Sequence, residues 1–135
     1  MKIVHLESSD EVIFDLDLSI AKRSGLIKTM IEHLGEDNLN ENLPLSKIKS
    51  NILGMVIEFV MHHKDSPIPD NAKEVEMTEW DKNFLKVDME TLVDLINAAN
   101  FLDMKDLLGL ACIQMRSLLT GTPENVQINL SKLTI

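Results

Sequence analysis

Basic side chains, aromatics, cysteine and long apolar runs are all scarce in this chain, and each shortage closes off a class of function. Thirteen Lys and Arg stand against 22 Asp and Glu, for a formal net charge of −9. Nucleic acid and anionic membrane surfaces both demand clustered cations, so neither is expected as a partner. The balance favours solubility and partners that are basic or apolar proteins. One cysteine, Cys112, excludes an internal disulfide and fits a reducing compartment, so a cytoplasmic and nuclear location is expected. No apolar stretch is long enough to span a bilayer, and Lys2, His5, Glu7 and Asp10 interrupt any signal-peptide core. Four Phe and one Trp are outnumbered by eight Met, which makes the apolar content soft and adaptable.

Reactive constellations are missing as well. The chain holds neither a Gly-rich phosphate loop nor a G-x-S-x-G elbow. His62-His63 is the one pair that invites a metal reading. Adjacent helical residues point about 100° apart, so they cannot share one ion as an i, i+4 pair does. A solvated helix end is the expectation for them. Cys112 has Leu108, Met115 and Leu119 as helical neighbours, and an apolar setting disfavours the reactive thiolate; a small buried hydrophobe is expected there. The carboxylates cluster in loops, as solvated charge does. No catalytic residue, metal ligand or cofactor is therefore expected.

What the chain does have is patterned apolar content. A length of 135 residues with 44% hydrophobic composition predicts one folded domain with its own core. Lys2 to Glu7, a Ser8-Ser9-Asp10 turn and the alternation from Glu11 to Leu18 predict a β-hairpin. Helical spacing follows at Ile20-Ala21 and through Ile27, Met30, Ile31 and Leu34 to a Gly35 stop. Residues 36–42 are expected to be a solvated loop, and Leu43-Pro44-Leu45 a short edge strand. Ser50 is the expected N-cap of a helix that ends near His62-His63, ahead of an acidic loop at 65–79. Trp80, Phe84 and Leu85 suggest a short helix. Asp88 caps the next, with Leu92, Leu95, Ile96, Ala99 and Leu102 inward and Val93 and Phe101 off that stripe. Asp103 is expected to cap the following helix and Gly121 to end it. Thr122-Pro123 resembles a helix start, whereas Val126, Ile128 and Leu130 alternate like a strand. Early strands followed by helices predict an α+β domain.

The last of these helices, Met104 to Thr120, carries more apolar surface than one face can bury. A helix packing on one core needs a stripe of roughly 100°, yet here the apolar positions fill about 200°. They sort into two rows, Leu107, Ala111 and Leu118 in one and Leu108, Cys112, Met115 and Leu119 in the other. One row can face the domain; the second needs a partner. This predicts a protein that binds proteins.

Several stretches follow one another in a suggestive order. They are Ser8-Ser9-Asp10 with Ile13-Phe14; Ile27-Lys28-Thr29-Met30; His62-His63-Lys64-Asp65 with Pro67; Trp80-Asp81 with Phe84-Leu85-Lys86-Val87-Asp88; and Ala98-Ala99-Asn100-Phe101-Leu102-Asp103. In order and spacing the chain resembles the Skp-type adaptors of SCF ubiquitin ligases, over about nine-tenths of its length. The hairpin and the Ala-Ala-Asn-Phe-Leu-Asp run are also similar to the elongin C branch of that superfamily. The resemblance implies a BTB/POZ fold, with a small N-terminal sheet flanked by helices and a C-terminal helical extension. Residues 1–102 would form the core, including the acidic loop, and 103–135 the extension and a divergent tail. It implies a non-catalytic adaptor that bridges a cullin and F-box proteins. The cullin-facing positions would be Asn100 and Phe101, where the family has Asn-Tyr. The F-box surface would comprise Leu92, Val93, Ile96, Leu108, Cys112, Met115 and Leu119. Beyond Pro123 the chain departs from the family's charged helical tail, which implies weaker or narrower F-box capture. Two other readings stay open: a self-associating BTB scaffold, which would stay dimeric at low concentration where an adaptor would form a weak homodimer at most, and an elongin-C-like adaptor for another class of receptor box. The tail could also fold back over the spare row and make it core.

Overall fold

In the computed structural model, residues 2–67 and 75–120 are described. The centre of the acidic loop, the Gly121 stop, the Thr122-Pro123 turn and the alternating tail lie outside the described residues. The period-two segments form the expected hairpin, β1 (Ile3–Glu7) and β2 (Ile13–Asp17), antiparallel with Val4 opposite Leu16 and Leu6 opposite Phe14. Glu11 turns the corner at φ 65°. On the other side of β1 lies β3 (Asn42–Pro44), parallel to it, giving the order β2-β1-β3. Pro44 has no N–H to donate, which an edge strand tolerates.

Helices cover one face of this sheet. After α1 (Leu18–Ala21), capped by Asp17, comes α2 (Gly25–Leu34), whose first turn is closed by Ser24 Oγ accepting from Ile27 N. Gly35 ends α2 at φ 82°, in the left-handed half of backbone space that favours glycine. The segment after it is more than a solvated loop. Glu36–Asn38 form a 3₁₀ turn that drops Leu39 into the core.

Helix α3 (Ser50–His62) corrects a second expectation, because its N-cap position is Lys49 and Ser50 is already helical. The capping acceptor comes from the hairpin turn instead. Asp10 Oδ1 accepts from Ser50 N at 2.8 Å and its Oδ2 from Ser50 Oγ at 2.6 Å. A residue 40 positions away thus supplies the missing acceptor, which local spacing cannot reveal.

The C-terminal part is helical: α4 (Glu79–Phe84), α5 (Met89–Leu102) and α6 (Lys105–Thr120). Thr78 and Asp81 form a reciprocal capping box on α4, and Asp88 caps α5 as expected. Asp103 does a different job from the one predicted. It closes α5 as a left-handed C-cap at φ 56°, and the two-residue link lets α6 fold back as an αα-hairpin. One continuous core then runs from the sheet (Val4, Leu6) through α3 (Leu53, Phe59) and α5 (Leu95, Ala99) to α6 (Leu107, Ala111). The architecture is α+β with a helical C-terminal portion.

Candidate functional site

The α5–α6 hairpin is fastened to the rest of the domain at its turn. Ser24 Oγ donates to Leu102 O at 2.6 Å, and Gly25 N donates to Asp103 O at 3.1 Å. The approach is so close that a Cβ on Gly25 would collide with Asp103 Oδ2 and lie 2.8 Å from its Cγ. A side chain at position 25 therefore fits only if the exposed Asp103 side chain moves aside. Near the start of α6, Arg23 Nη2 pairs with Asp106 Oδ2 at 3.1 Å, with both side chains about nine-tenths buried. Arg23 Nη1 also donates to Ser66 O at 2.8 Å, tying the α1–α2 turn to both the loop after α3 and α6.

Held this way, the hairpin presents two unlike faces. Leu92, Leu95, Ala99, Leu102, Met104, Leu107, Leu110 and Ala111 are buried. Met104 and Leu110 were outside the predicted inner row. Leu110 is buried and, with Arg23, Phe59 and His63, borders a cleft of about 400 Å³. Leu118, expected in the inner row, is half-buried and packs against the margin of the core. On the other face Val93 is 39% exposed, Ile96, Leu108, Met115 and Leu119 are half-buried, and Cys112 is exposed. Cys112 is thus not the buried hydrophobe expected of it, because the row it belongs to points away from α5's inner stripe.

Leu92 requires the opposite correction. The family resemblance implies an F-box contact for it, but helical spacing puts it on the inner stripe of α5, and there it is wholly buried. A side chain with no exposed area cannot contact a partner without opening the fold. The remaining six form the open row. Asn100 is exposed and Phe101 half-buried at the C-terminal end of α5. By helical spacing Asn100 continues the line of Val93 and Ile96, whereas Phe101 continues Glu90, Asp94 and Asn97. The pair therefore straddles two adjacent faces.

Of the His62-His63 pair, His62 is exposed at the end of α3 as expected, whereas His63 is half-buried. His63 Nε2 lies 2.6 Å from Asp81 Oδ1, and Asp81 is fully buried, its other oxygen accepting from Thr78 N and Oγ1. His62 stacks on Trp80 at 3.8 Å between ring centroids, and Trp80 on Phe84 at 5.0 Å. The pair works as a clasp between α3 and α4. Sequence could have suggested it, since Thr78-x-x-Asp81 carries the capping-box spacing.

Electrostatic tuning lies elsewhere in the molecule. Hydrogen bonds from Ser50 and Ser8 hold the Asp10 carboxyl at about 2. Ser19 lowers Asp17, and Lys2 with Lys22 lowers Glu36. Each is a cap or a surface ion pair, and none belongs to α5 or α6. Among the described residues no group of three or more His, Cys, Asp or Glu is arranged to hold a metal ion, and no helix is long and apolar enough to cross a membrane. What this surface can offer chemically is apolar area.

Comparison with known proteins adds an independent line. A family model described as Skp1 family, tetramerisation domain, matches residues 2–65. The SCF ubiquitin ligase complex protein SKP1a of Dictyostelium discoideum is 39% identical over 134 residues, covering 94% of this chain and 82% of its own length. SKP1b of the same organism matches to the same extent. The E3 ubiquitin ligase complex SCF subunit sconC of Talaromyces stipitatus is 38% identical over 131 residues, covering 92% of this chain and 81% of its own.

Proposed function

The chain belongs to the Skp1 family, and from that premise we propose that it is a non-catalytic adaptor bridging a cullin and F-box substrate receptors in an SCF-type ubiquitin ligase. The observation that carries the reading is the open row on α5 and α6: Val93, Ile96, Leu108, Cys112, Met115 and Leu119, apolar and not covered as the inner row is. Covering the apolar area these six side chains still expose contributes about 25 cal/mol per Å² before association entropy and ordering are subtracted. In this reading the row takes the F-box, and Asn100 with Phe101 takes the cullin. Phe101 has no phenolic hydroxyl, so its contact is made by the ring alone. Residence in the cytoplasm and nucleus belongs to the same proposal.

The test is paired binding. A cullin N-terminal region and an F-box peptide are each titrated against wild type, Met115→Glu and Asn100→Ala/Phe101→Ala. Met115→Glu puts a charge in a desolvated contact and should abolish F-box binding with the fold intact. The double variant should weaken only the cullin. If wild type binds neither probe, the adaptor reading fails. The alternative use of the row is self-association. Light scattering separates the two, because a scaffold stays dimeric at low concentration whatever peptide is added, and an adaptor does not.

A further inference from the structure

The loop between β3 and α3 brings a cation to the ring of Phe101. Leu45 and Ile48 are buried and pin the loop, so Lys47 between them is exposed with its backbone fixed on both sides. Lys47 Nζ lies 5.8 Å from the centroid of the Phe101 ring, within the range at which an ammonium is attracted to an aromatic face. The neighbourhood is built for charge. A cleft of about 260 Å³ beside it is lined by Lys47 and Lys49 from the loop and by Glu90, Asp94 and Asn97 from α5. Glu90, Asp94, Asn97 and Phe101 are spaced by four, three and four, so they form one line along α5 with Phe101 at its end.

We propose that Lys47 is a positioning residue for Phe101, setting the orientation of its ring at the cullin-facing end of α5. The inference rests on reading Asn100 and Phe101 as the cullin contact. A phenylalanine ring has no polar atom with which to fix its own rotation. An ammonium against one face restricts the ring and leaves the edge and the opposite face to the partner. Lys47 shares the lining of the cleft with Glu90 and Asp94, so the ring lies beside a cleft that carries both signs of charge.

The ring contact itself is read in the free protein by NMR. Lys47 Hε resonances should be shifted upfield by the Phe101 ring current, and the shift should vanish in Phe101→Leu. Binding to a cullin N-terminal region is then measured for Lys47→Met, which keeps the alkyl stem, and for Lys47→Arg, which keeps the cation. Lys47→Met should weaken binding about three-fold, the scale of an exposed cation–π contact. Lys47→Arg should bind like wild type, and an F-box peptide should not distinguish the three. In a Phe101→Ala background Lys47→Met should cost nothing further. Equal affinity of Lys47→Met and wild type overturns the inference, as does an undiminished penalty in the Phe101→Ala background, which would make Lys47 an independent charge. If wild type and all variants fail to bind the cullin region, the adaptor reading falls and this inference with it.

Discussion

Leu92, Leu95, Leu107 and Ala111 are shut off from water, whereas Val93, Leu108, Cys112 and Met115 are not, although each of these open positions lies one or a few residues from a sealed one. The two sets share composition and helix, and Leu92 and Val93 are neighbours in the chain. Their fates differ because Ser24, Gly25 and Arg23 fasten the turn and the start of α6 to the domain, and that attachment decides which way the hairpin faces. Hydrophobicity therefore measures how much surface a helix needs to cover, not which part its own domain covers. The surplus is what a partner can use.

Substitutions on the two faces should break or sharpen this contrast. The largest effect is expected for Leu95→Ala on the sealed face, which leaves a cavity and should cost about 3 kcal/mol in urea unfolding. A loss near zero would mean the inner stripe is loosely packed. Next, Gly25→Ala drives a methyl into Asp103 and should cost about 2 kcal/mol by disturbing the attachment. Adding Asp103→Gly should recover most of that loss, since the position is left-handed and the second side chain is removed. On the open face, Met115→Glu should change stability by less than about 1 kcal/mol while eliminating F-box binding. Should it unfold the protein instead, the contrast between the faces is lost.

The smallest effect concerns acid and leaves both faces untouched. The folded Asp10 carboxyl lies at about 2, below its ordinary 3.8. A lowered carboxylate stabilises fully above the unfolded value, and that contribution fades as pH falls through about 4 to 2. Thermal midpoints of wild type should therefore drop across that window, and Asp10→Asn should flatten the part of the drop that the α3 cap supplies.

Much of the molecule was legible in the order of its residues. Alternation marked the hairpin, helical spacing marked α2, α3, α5 and α6, and Gly35 and Asp88 stood at their ends as expected. The surplus row on α6 was legible too, because an arc wider than one face is a property of the helix alone. The site was misjudged where a residue's role depends on distant chain. Ser50 resembled a cap until Asp10 arrived from the hairpin turn, and Asp103 resembled a helix start although it ends one. His63 resembled part of a solvated end until Asp81 packed against it, whereas His62 is exposed as expected and stacks on Trp80.

By itself, then, the sequence determined which segments are strands and helices, and that one helix carries two apolar rows; both follow from local periodicity. Only the tertiary structure decided that Lys47 lies over Phe101, that Ser24 holds the α5–α6 turn, and that Asp10 caps α3. Residues 40 or more positions apart meet only after the chain has folded, and no local pattern encodes where a free carboxylate or ammonium will land.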